Sequence, residues 1–121
     1  MGYYKDLIGF IKAYELAMDI FLISKRFPIE EKYSLTDQIR RSSRSVCTNI
    51  AEVYRRRRYR DYFISKLNDA ETENSETYVW LDFAKDCGYI SAAEYSTLSL
   101  KNEEVGKLLW YMINNPDKFR N

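Results

Sequence analysis

Residues 61–88 read DYFISKLNDAETENSETYVWLDFAKDCG. Apolar or small residues recur in this stretch every three or four positions, the spacing that places them on one face of an α-helix. The positions expected to face a core are Phe63, Leu67, Ala70, Asn74, Thr77, Leu81 and Ala84. Gly88 follows, and glycine most readily adopts the left-handed backbone found just after a helix. The stretch therefore predicts one long helix from about Asp61 to Cys87.

The chain before this helix predicts two more. The first runs from Tyr4 to about Lys25 and is ended by Phe27-Pro28, because proline disfavours helical backbone in the preceding residue. The second begins after Ser34, which we expect to cap it together with Asp37. Its core-facing positions are Leu35, Ile39, Ser42, Val46, Ile50 and Val53. We place the turn between the second and third helices within residues 54–60.

The chain after residue 88 predicts a fourth helix, and the four together predict a fold class. Ser91 and Glu94 have the spacing of a capping box, and the apolar pattern continues from there to a stop at Pro116. No proline occurs between Pro28 and Pro116. Long helices joined by short links must pack against their neighbours in opposite directions. We therefore predict an all-α, antiparallel up-down-up-down four-helix bundle, with residues 1–121 forming a single domain.

Composition excludes several classes of enzyme. The sequence contains no histidine, which removes Ser-His-Asp and Cys-His catalysis and histidine-ligated zinc. A magnesium site built on Glu71, Glu73 and Glu76 would need a spaced acidic pair on a second helix, whereas Glu103 and Glu104 are adjacent. We expect no enzymatic activity, no cofactor and no metal.

Cysteine usage and hydropathy bear on the compartment. Cys47 and Cys87 lie within apolar helical patterns, and residues 1–10 do not resemble a signal peptide. We expect both thiols to be reduced and buried in a cytoplasmic protein. No apolar run reaches the roughly 20 residues that a membrane-spanning helix needs, so we expect no contact with a membrane.

The distribution of charge is the sharpest chemical feature. The net charge is +1, yet residues 40–60 contain eight arginines and a single carboxylate, Glu52. The arginines are Arg40, Arg41, Arg44, Arg55, Arg56, Arg57, Arg58 and Arg60. A guanidinium group binds phosphate through two parallel hydrogen bonds, and Tyr54, Tyr59 and Tyr62 offer rings on which unpaired bases stack. These residues predict a binding site for structured RNA or DNA.

Two other interpretations of the arginines stay open. They could form ion pairs between subunits or with a protein partner, using an acidic series on the third helix: Asp69, Glu71, Glu73 and Glu76. They could also be a solvated helix end, since charge runs alone are weak signals. The alternative function is therefore a protein-interaction scaffold that binds no nucleic acid.

The aromatic content predicts self-association. The chain has eleven tyrosines, six phenylalanines and two tryptophans, more than a slim bundle can hide. Those expected at the edges of the core are Tyr3, Tyr54, Tyr59, Tyr62, Tyr78 and Tyr111. Aromatic residues at a surface often mark an interface. Alternatively, these tyrosines lie on helix surfaces with their hydroxyls in water.

A combined motif resembles one known family. It consists of Phe27-Pro28, Glu31, Tyr33, Leu35, Gln38-Ile39-Arg40-Arg41-Ser42, Ser45-Val46 and Asn49-Ile50-Ala51-Glu52, followed by Ala70, Glu76, Leu81, Ala84, Gly88-Tyr89-Ile90 and Glu94-Tyr95. This pattern is similar to the 23S rRNA intervening sequence proteins, also called the S23 ribosomal protein type, over nearly the whole chain. The chain departs from the family pattern at Val53, where glycine is usual, and at Thr72-Glu73, where a Gly-Ser pair is usual.

The resemblance implies an antiparallel bundle that assembles into a ring-like homopentamer, with no established enzymatic activity. Some members of the family are encoded inside insertions in ribosomal RNA genes. Distant relatives in diversity-generating retroelements are basic pentamers that bind nucleic acid and a reverse transcriptase. Asn49 and Glu52 belong to the motif, and we expect them to form a structural polar network with Arg41 or a neighbouring helix. A role in ligand binding is the alternative.

Overall fold

Four α-helices account for most of the protein. A computed structural model describes residues 4–120, so the expected position of Tyr3 at the edge of the core lies outside the described residues. The helices are α1 (Ile8–Ser24), α2 (Leu35–Arg55), α3 (Arg60–Asp86) and α4 (Ala92–Asn114), with short 3-10 turns at Tyr4–Asp6, Ile29–Glu31 and Pro116–Lys118. No β-strand occurs within the described residues. The all-α prediction is confirmed, and the turn between α2 and α3 falls within residues 54–60 as expected.

Contacts between side chains give the direction of each helix. The contacting pairs are Ser24–Arg40 and Phe21–Arg44 between α1 and α2, Ser42–Thr77 and Glu52–Lys66 between α2 and α3, Asn74–Asn102 and Asp82–Tyr95 between α3 and α4, and Lys12–Glu104 and Asp19–Lys101 between α1 and α4. In each of these four pairs of helices, residue numbers rise along one helix as they fall along the other. Neighbouring helices are therefore antiparallel, and α4 closes the bundle against α1.

The core faces of α2 and α3 agree with the sequence. All seven positions predicted to face inward on α3 are buried, and so are all six on α2. Val53, where the family pattern has glycine, is completely buried. Burying such apolar side chains supplies the main favourable free energy of a bundle of this kind.

A polar layer crosses the middle of this apolar core. Asn74 Nδ2 donates to the backbone carbonyl of Asn102 at 3.2 Å, and Asn102 Nδ2 donates to the carbonyl of Asn74 at 3.1 Å. A Cβ atom at Gly106 would lie 3.0 Å from Asn74 Nδ2, so glycine there leaves room for the amide. Ser42 and Thr77 share a further buried hydrogen bond of 2.8 Å between α2 and α3. These bonds fix the register of α2, α3 and α4, because another register would leave the buried amide N–H groups without partners. The amide oxygens of Asn74 and Asn102 are buried without a hydrogen-bond partner among the described residues.

Helix α1 is apolar on more than its core face. Ala13, Leu16 and Ile20 are buried, whereas Ile8 and Leu22 are more than half exposed. The helix begins at Ile8 rather than at Tyr4, because residues 4–6 form a separate 3-10 turn. The apolar periodicity found the helix but did not distinguish its buried face from its exposed one.

The caps of α3 and α4 match the sequence prediction. Gly88 has a φ of +79° directly after α3. Ser91 Oγ accepts the N–H of Glu94 at 3.0 Å, and the Glu94 carboxylate accepts the N–H of Ser91 at 2.8 Å. The predicted capping box is confirmed.

The predicted cap of α2 is wrong. Ser34 makes no side-chain bond to the helix, and its ψ of −102° is not the extended backbone usual at an N-cap. Glu31 takes the role instead: its carboxylate accepts the hydroxyl of Ser34 at 2.6 Å and the N–H of Leu35 at 3.3 Å. These hydrogen bonds and a third from Tyr89, with that of Ser34 foremost, lower the pKa of Glu31 below its ordinary value. Asp37 lies near Arg41 of its own helix.

The two cysteines have different environments, which corrects the prediction that both are buried. Cys47 is buried, and its burial raises the pKa of the thiol to about 11. Cys87 is exposed, because it lies at the C-cap of α3, past Ala84, the last buried residue of that helix. Both are free thiols. Within residues 4–120, no helix has the apolar length needed to cross a bilayer.

Candidate nucleic-acid interface

The eight predicted arginines fall into two groups. Arg40, Arg41 and Arg44 lie on the body of α2, while a second group surrounds the junction where α2 ends and α3 begins. We call this second group the arginine corner, and it consists of Arg55, Arg56, Arg57, Arg58 and Arg60. The structure thus divides a continuous basic segment into two separate surfaces.

The three arginines on the body of α2 differ in how accessible their side chains are to a ligand. Arg40 Nε donates to Ser24 Oγ at 2.8 Å and its guanidinium lies 4.9 Å from the centre of the Phe21 ring, so it ties α2 to α1. Arg44 also lies over Phe21, at 5.5 Å, yet remains exposed. Arg41 is 73% exposed and 3.8 Å from Asp37, a surface ion pair that water largely screens. Arg41 and Arg44 can therefore reach a ligand, whereas Arg40 is part of the helix packing.

In the arginine corner, four of the five side chains form no ion pair within the described residues, and three of these four are exposed. Arg57 folds back, donating to the carbonyl of Tyr54 at 2.9 Å, and Arg60 lies 3.7 Å from Asp117. Arg55, Arg56 and Arg58 are exposed, and no carboxylate among the described residues forms an ion pair with them. The corner therefore concentrates positive charge at one end of the bundle, offset in part by the attraction between Arg56 and the nearby Glu52 carboxylate.

The C-terminal segment holds the backbone of this corner. Arg120 Nε donates to the carbonyl of Arg57 at 2.8 Å, and its Nη2 donates to the carbonyl of Arg58 at 2.7 Å. Its Nη1 donates to Asp117 at 2.9 Å. Sequence reasoning missed Arg120, because the contact joins residues more than 60 positions apart and no local pattern signals it.

The tyrosines predicted as stacking platforms are already engaged. Arg57 lies 4.4 Å from the Tyr54 ring, Arg56 lies 5.7 Å from the Tyr62 ring, and Arg58 lies 5.6 Å from the Tyr59 ring. These cation–π contacts orient the arginines. One face of each ring is therefore occupied by an arginine, and Tyr59, at 54% exposed, is the most accessible of the three rings.

Asn49 and Glu52 make contacts of different kinds. Asn49 is half-buried and donates to the backbone carbonyl of Ser45 at 2.9 Å, within its own helix. Glu52 is exposed and links α2 to α3, since it accepts the hydroxyl of Tyr62 and lies 3.4 Å from Lys66 Nζ. The hydrogen bond from Tyr62, more than Lys66, lowers the pKa of Glu52. In the part of the chain that the structure describes, neither residue forms a hydrogen bond or ion pair with Arg41.

The acidic series of α3 does not neutralise the arginines within the chain. A groove of about 510 Å³ separates Arg41 and Arg44 on α2 from Glu73 and Glu76 on α3, and no ion pair bridges it. Burial, together with the nearby Glu76 and Asp69, raises the pKa of Glu73. Of the remaining members, Asp69 lies near Lys66 and Glu71 accepts the hydroxyl of Ser75. Among residues 4–120, no three cysteine or carboxylate side chains are grouped as metal ligands would be.

Comparison with known proteins agrees with this architecture. The profile of the 23S rRNA-intervening sequence protein family matches residues 5–111. The chain belongs to this family. A crystal structure from Bacteroides thetaiotaomicron, described as a protein of unknown function from the S23 ribosomal protein family, superposes on this intervening-sequence protein with a TM-score of 0.79 and 33% identity. The match covers 88% of this chain and 98% of that one. A search of curated proteins finds no match.

Proposed function

We propose that this intervening-sequence protein is a non-enzymatic, cytoplasmic homo-oligomer that binds structured RNA or DNA through the arginine corner, assisted by Arg41 and Arg44. The observation that carries the proposal is the exposure of Arg55, Arg56 and Arg58 within one turn, without ion-paired carboxylates. Phosphate groups are the natural partners of such a cluster, because each neutralised phosphate releases counterions. The free thiols of Cys47 and Cys87 suit a reducing compartment such as the cytoplasm.

The backbone adds to the attraction of the corner for anions. Helix α3 begins at Arg60, and no side chain caps its first N–H groups. The N-terminus of a helix carries partial positive charge and free donors, which favour phosphate. The arginine side chains and the helix end therefore both attract anions at this junction, whereas the exposed carboxylate of Asp61 in the first turn of α3 opposes them.

Self-association would multiply this modest local charge. Large apolar side chains are exposed on α1 and α4, among them Ile8, Ile11, Leu22, Leu100 and Trp110. Such surfaces favour contact with another copy. Each copy would bring its own arginine corner, so several phosphates would be bound at once although one chain carries a net charge of only +1. The family resemblance makes five the expected number of subunits.

The test is binding of a structured RNA to the triple variant Arg55→Gln, Arg56→Gln, Arg58→Gln across a range of salt concentrations. We expect weaker binding and a shallower dependence on salt, because fewer phosphates are neutralised. The matched control, Lys32→Gln, Lys85→Gln, Lys107→Gln, removes three exposed charges elsewhere and should bind like the parent. A folded corner variant with the parent's affinity and salt dependence would contradict the proposal.

A protein-interaction scaffold is the second candidate function. It is favoured by the groove in which Arg41 and Arg44 face Glu73 and Glu76 without pairing across it. A partner with both charges could satisfy the two sides together. In that case the variant Glu73→Gln, Glu76→Gln would lower the oligomer mass measured by light scattering, and the parent would bind no nucleic acid.

A further inference from the structure

We propose that an apolar groove between α1 and α2 receives an unpaired base of the bound RNA, while Arg44 and Arg55 bind the adjoining phosphates. This inference rests on the proposed function and narrows it: the ligand is a structured RNA with an exposed single-stranded loop or bulge. We call the site the aromatic groove. It is separate from the tyrosines of the arginine corner.

The walls of the aromatic groove suit a flat ring. It encloses about 410 Å³, with Phe10, Tyr14 and Met18 on the α1 side and Cys47 on the α2 side. Tyr14 is 55% exposed, and its ring lies 5.9 Å from that of Phe10 with a tilt of 31°. The thiol of Cys47, with its pKa raised to about 11, is uncharged at neutral pH. The groove is therefore lined mainly by ring faces, with Tyr4 beside Phe10 and Tyr14, and by apolar surface, and the ionised side chain in its lining is Arg44.

An arginine side chain lies at each end of this apolar surface. Arg44 lies at its border, and a second groove of about 530 Å³ shares Thr48 and Ala51 with it and adds Arg55. Arg44, Thr48, Ala51 and Arg55 follow one another at intervals of four, three and four residues, which places them on one face of α2. The helix rises about 17 Å between the two arginines. One strand lying along α2 could thus meet a cation, an apolar recess and a second cation.

Glu52, the acidic residue beside this path, has neighbouring groups that offset part of its negative charge. Glu52 also lines the second groove, but it accepts the hydroxyl of Tyr62 and lies 3.4 Å from Lys66 Nζ. Lys66 also lies 3.6 Å from Asp69, so it offsets the charge of Glu52 only in part, and the nearby Arg56 contributes the rest of the attraction.

The chemistry of the groove selects an unpaired strand. In a double helix the base faces are stacked on one another, so a recess of this kind finds no ring to accept. An unpaired base can turn out of its strand, stack on an aromatic side chain and leave its phosphates at the borders. Unlike Tyr54, Tyr59 and Tyr62, Tyr14 has no arginine stacked on its ring in the contacts of the described residues.

The experiment uses an RNA hairpin with the fluorescent base 2-aminopurine in its loop, and a continuous duplex with the same stem. We expect the parent to prefer the hairpin and to quench the loop fluorescence by stacking. Tyr14→Ala and Tyr14→Leu should each weaken hairpin binding by about ten-fold and abolish the quench, while duplex binding stays unchanged. Tyr14→Phe keeps the ring and should behave like the parent. Tyr33→Ala, the matched control, removes a tyrosine that is 84% exposed and outside the groove.

Several outcomes would overturn the inference. If Tyr14→Leu binds and quenches like the parent, the groove does not hold the base. If the parent binds hairpin and duplex equally and without quenching, the proposed function stands and this inference fails. If the parent binds neither RNA, both fail. If circular dichroism shows that the Tyr14 variants keep their helix content but light scattering shows a lower oligomer mass, the groove is a contact between copies of the chain.

Discussion

Arg120 and Arg57 lie 63 residues apart in the sequence, yet the Arg120 side chain donates to the Arg57 backbone at 2.8 Å. Arg120 also donates to the carbonyl of Arg58, so its side chain holds two backbone carbonyls of the turn between α2 and α3. Carbonyl groups at the end of a helix lack partners within it, so a side chain from elsewhere that binds them stabilises the local backbone.

We predict that Arg120→Ala lowers the free energy of unfolding by about 1–2 kcal/mol, because two backbone acceptors lose a charged donor. Thermal denaturation measures the loss, and hydrogen exchange should accelerate at the Tyr59 amide, which bonds to Arg56 within the turn. Arg41→Ala is the control, because its exposed ion pair should contribute less than about 0.5 kcal/mol. Equal stability of the two variants would contradict the prediction that Arg120 stabilises the turn between α2 and α3.

A second prediction compares two glycines in helices. Gly106→Ala places a Cβ 3.0 Å from Asn74 Nδ2 and should cost about 1–3 kcal/mol by displacing the amide from its carbonyl partner. Gly9→Ala meets only ordinary contacts, the nearest at 3.7 Å from Met112 Sδ, and should be neutral or stabilising by up to about 1 kcal/mol through helix propensity. Denaturant unfolding of both variants measures the contrast. A stabilising Gly106→Ala would show that the polar layer tolerates displacement.

The third prediction concerns acid. Hydrogen bonds from Arg26 and then from the N–H of Ser91 lower the pKa of Glu94 from 4.5 to about 2. A carboxyl whose pKa is lower in the folded state contributes stability above its unfolded pKa and loses it as pH falls through the folded value. The melting temperature of the parent should therefore fall between pH about 5 and 2 more steeply than that of Glu94→Gln. The exposed Glu104→Gln serves as control and should follow the parent, and parallel curves for all three proteins would contradict the expectation.

The fourth prediction uses the two thiols. A maleimide reagent should modify Cys87 rapidly in the native protein, because Cys87 is exposed. Cys47 should react only when the bundle opens, since it is buried and its thiolate is disfavoured. Mass spectrometry after digestion assigns the sites, with Cys87→Ser as the control that leaves Cys47 alone. Equally rapid labelling of both would mean that α2 separates readily from α1.

Helix positions and core faces could be predicted because they depend on local spacing. The inward residues of α3, from Phe63 to Ala84, are buried as their periodicity indicated, and Gly88 and Ser91 bound the helices as expected. Contacts that depend on the path of the chain could not. Glu31 replaced Ser34 as the cap of α2 because a 3-10 turn, with no clear sequence signal, brings its carboxylate to the helix.

The sequence predicted which residues make up the candidate site, but not which of their side chains are free to bind a ligand. The sequence identified all eight arginines, yet only the structure shows that Arg40 packs on Phe21 and that Arg57 folds onto Tyr54. Side chains of the same type differ in this way because each meets a particular neighbour, on another helix for Arg40 and within the same turn for Arg57, and a run of arginines does not specify that neighbour. The sequence did not reveal the aromatic groove, because its walls come from two different helices.

The polar layer also constrains how this protein can change over generations. Asn74, Asn102 and Gly106 form a unit, because each asparagine uses the backbone of the other helix and the glycine leaves the space that one of them fills. A side chain gained at position 106 would be harmful unless position 74 had first become smaller. Related sequences should therefore substitute these three positions together, and a homologue with a larger residue in place of Gly106 should lack the asparagine that corresponds to Asn74.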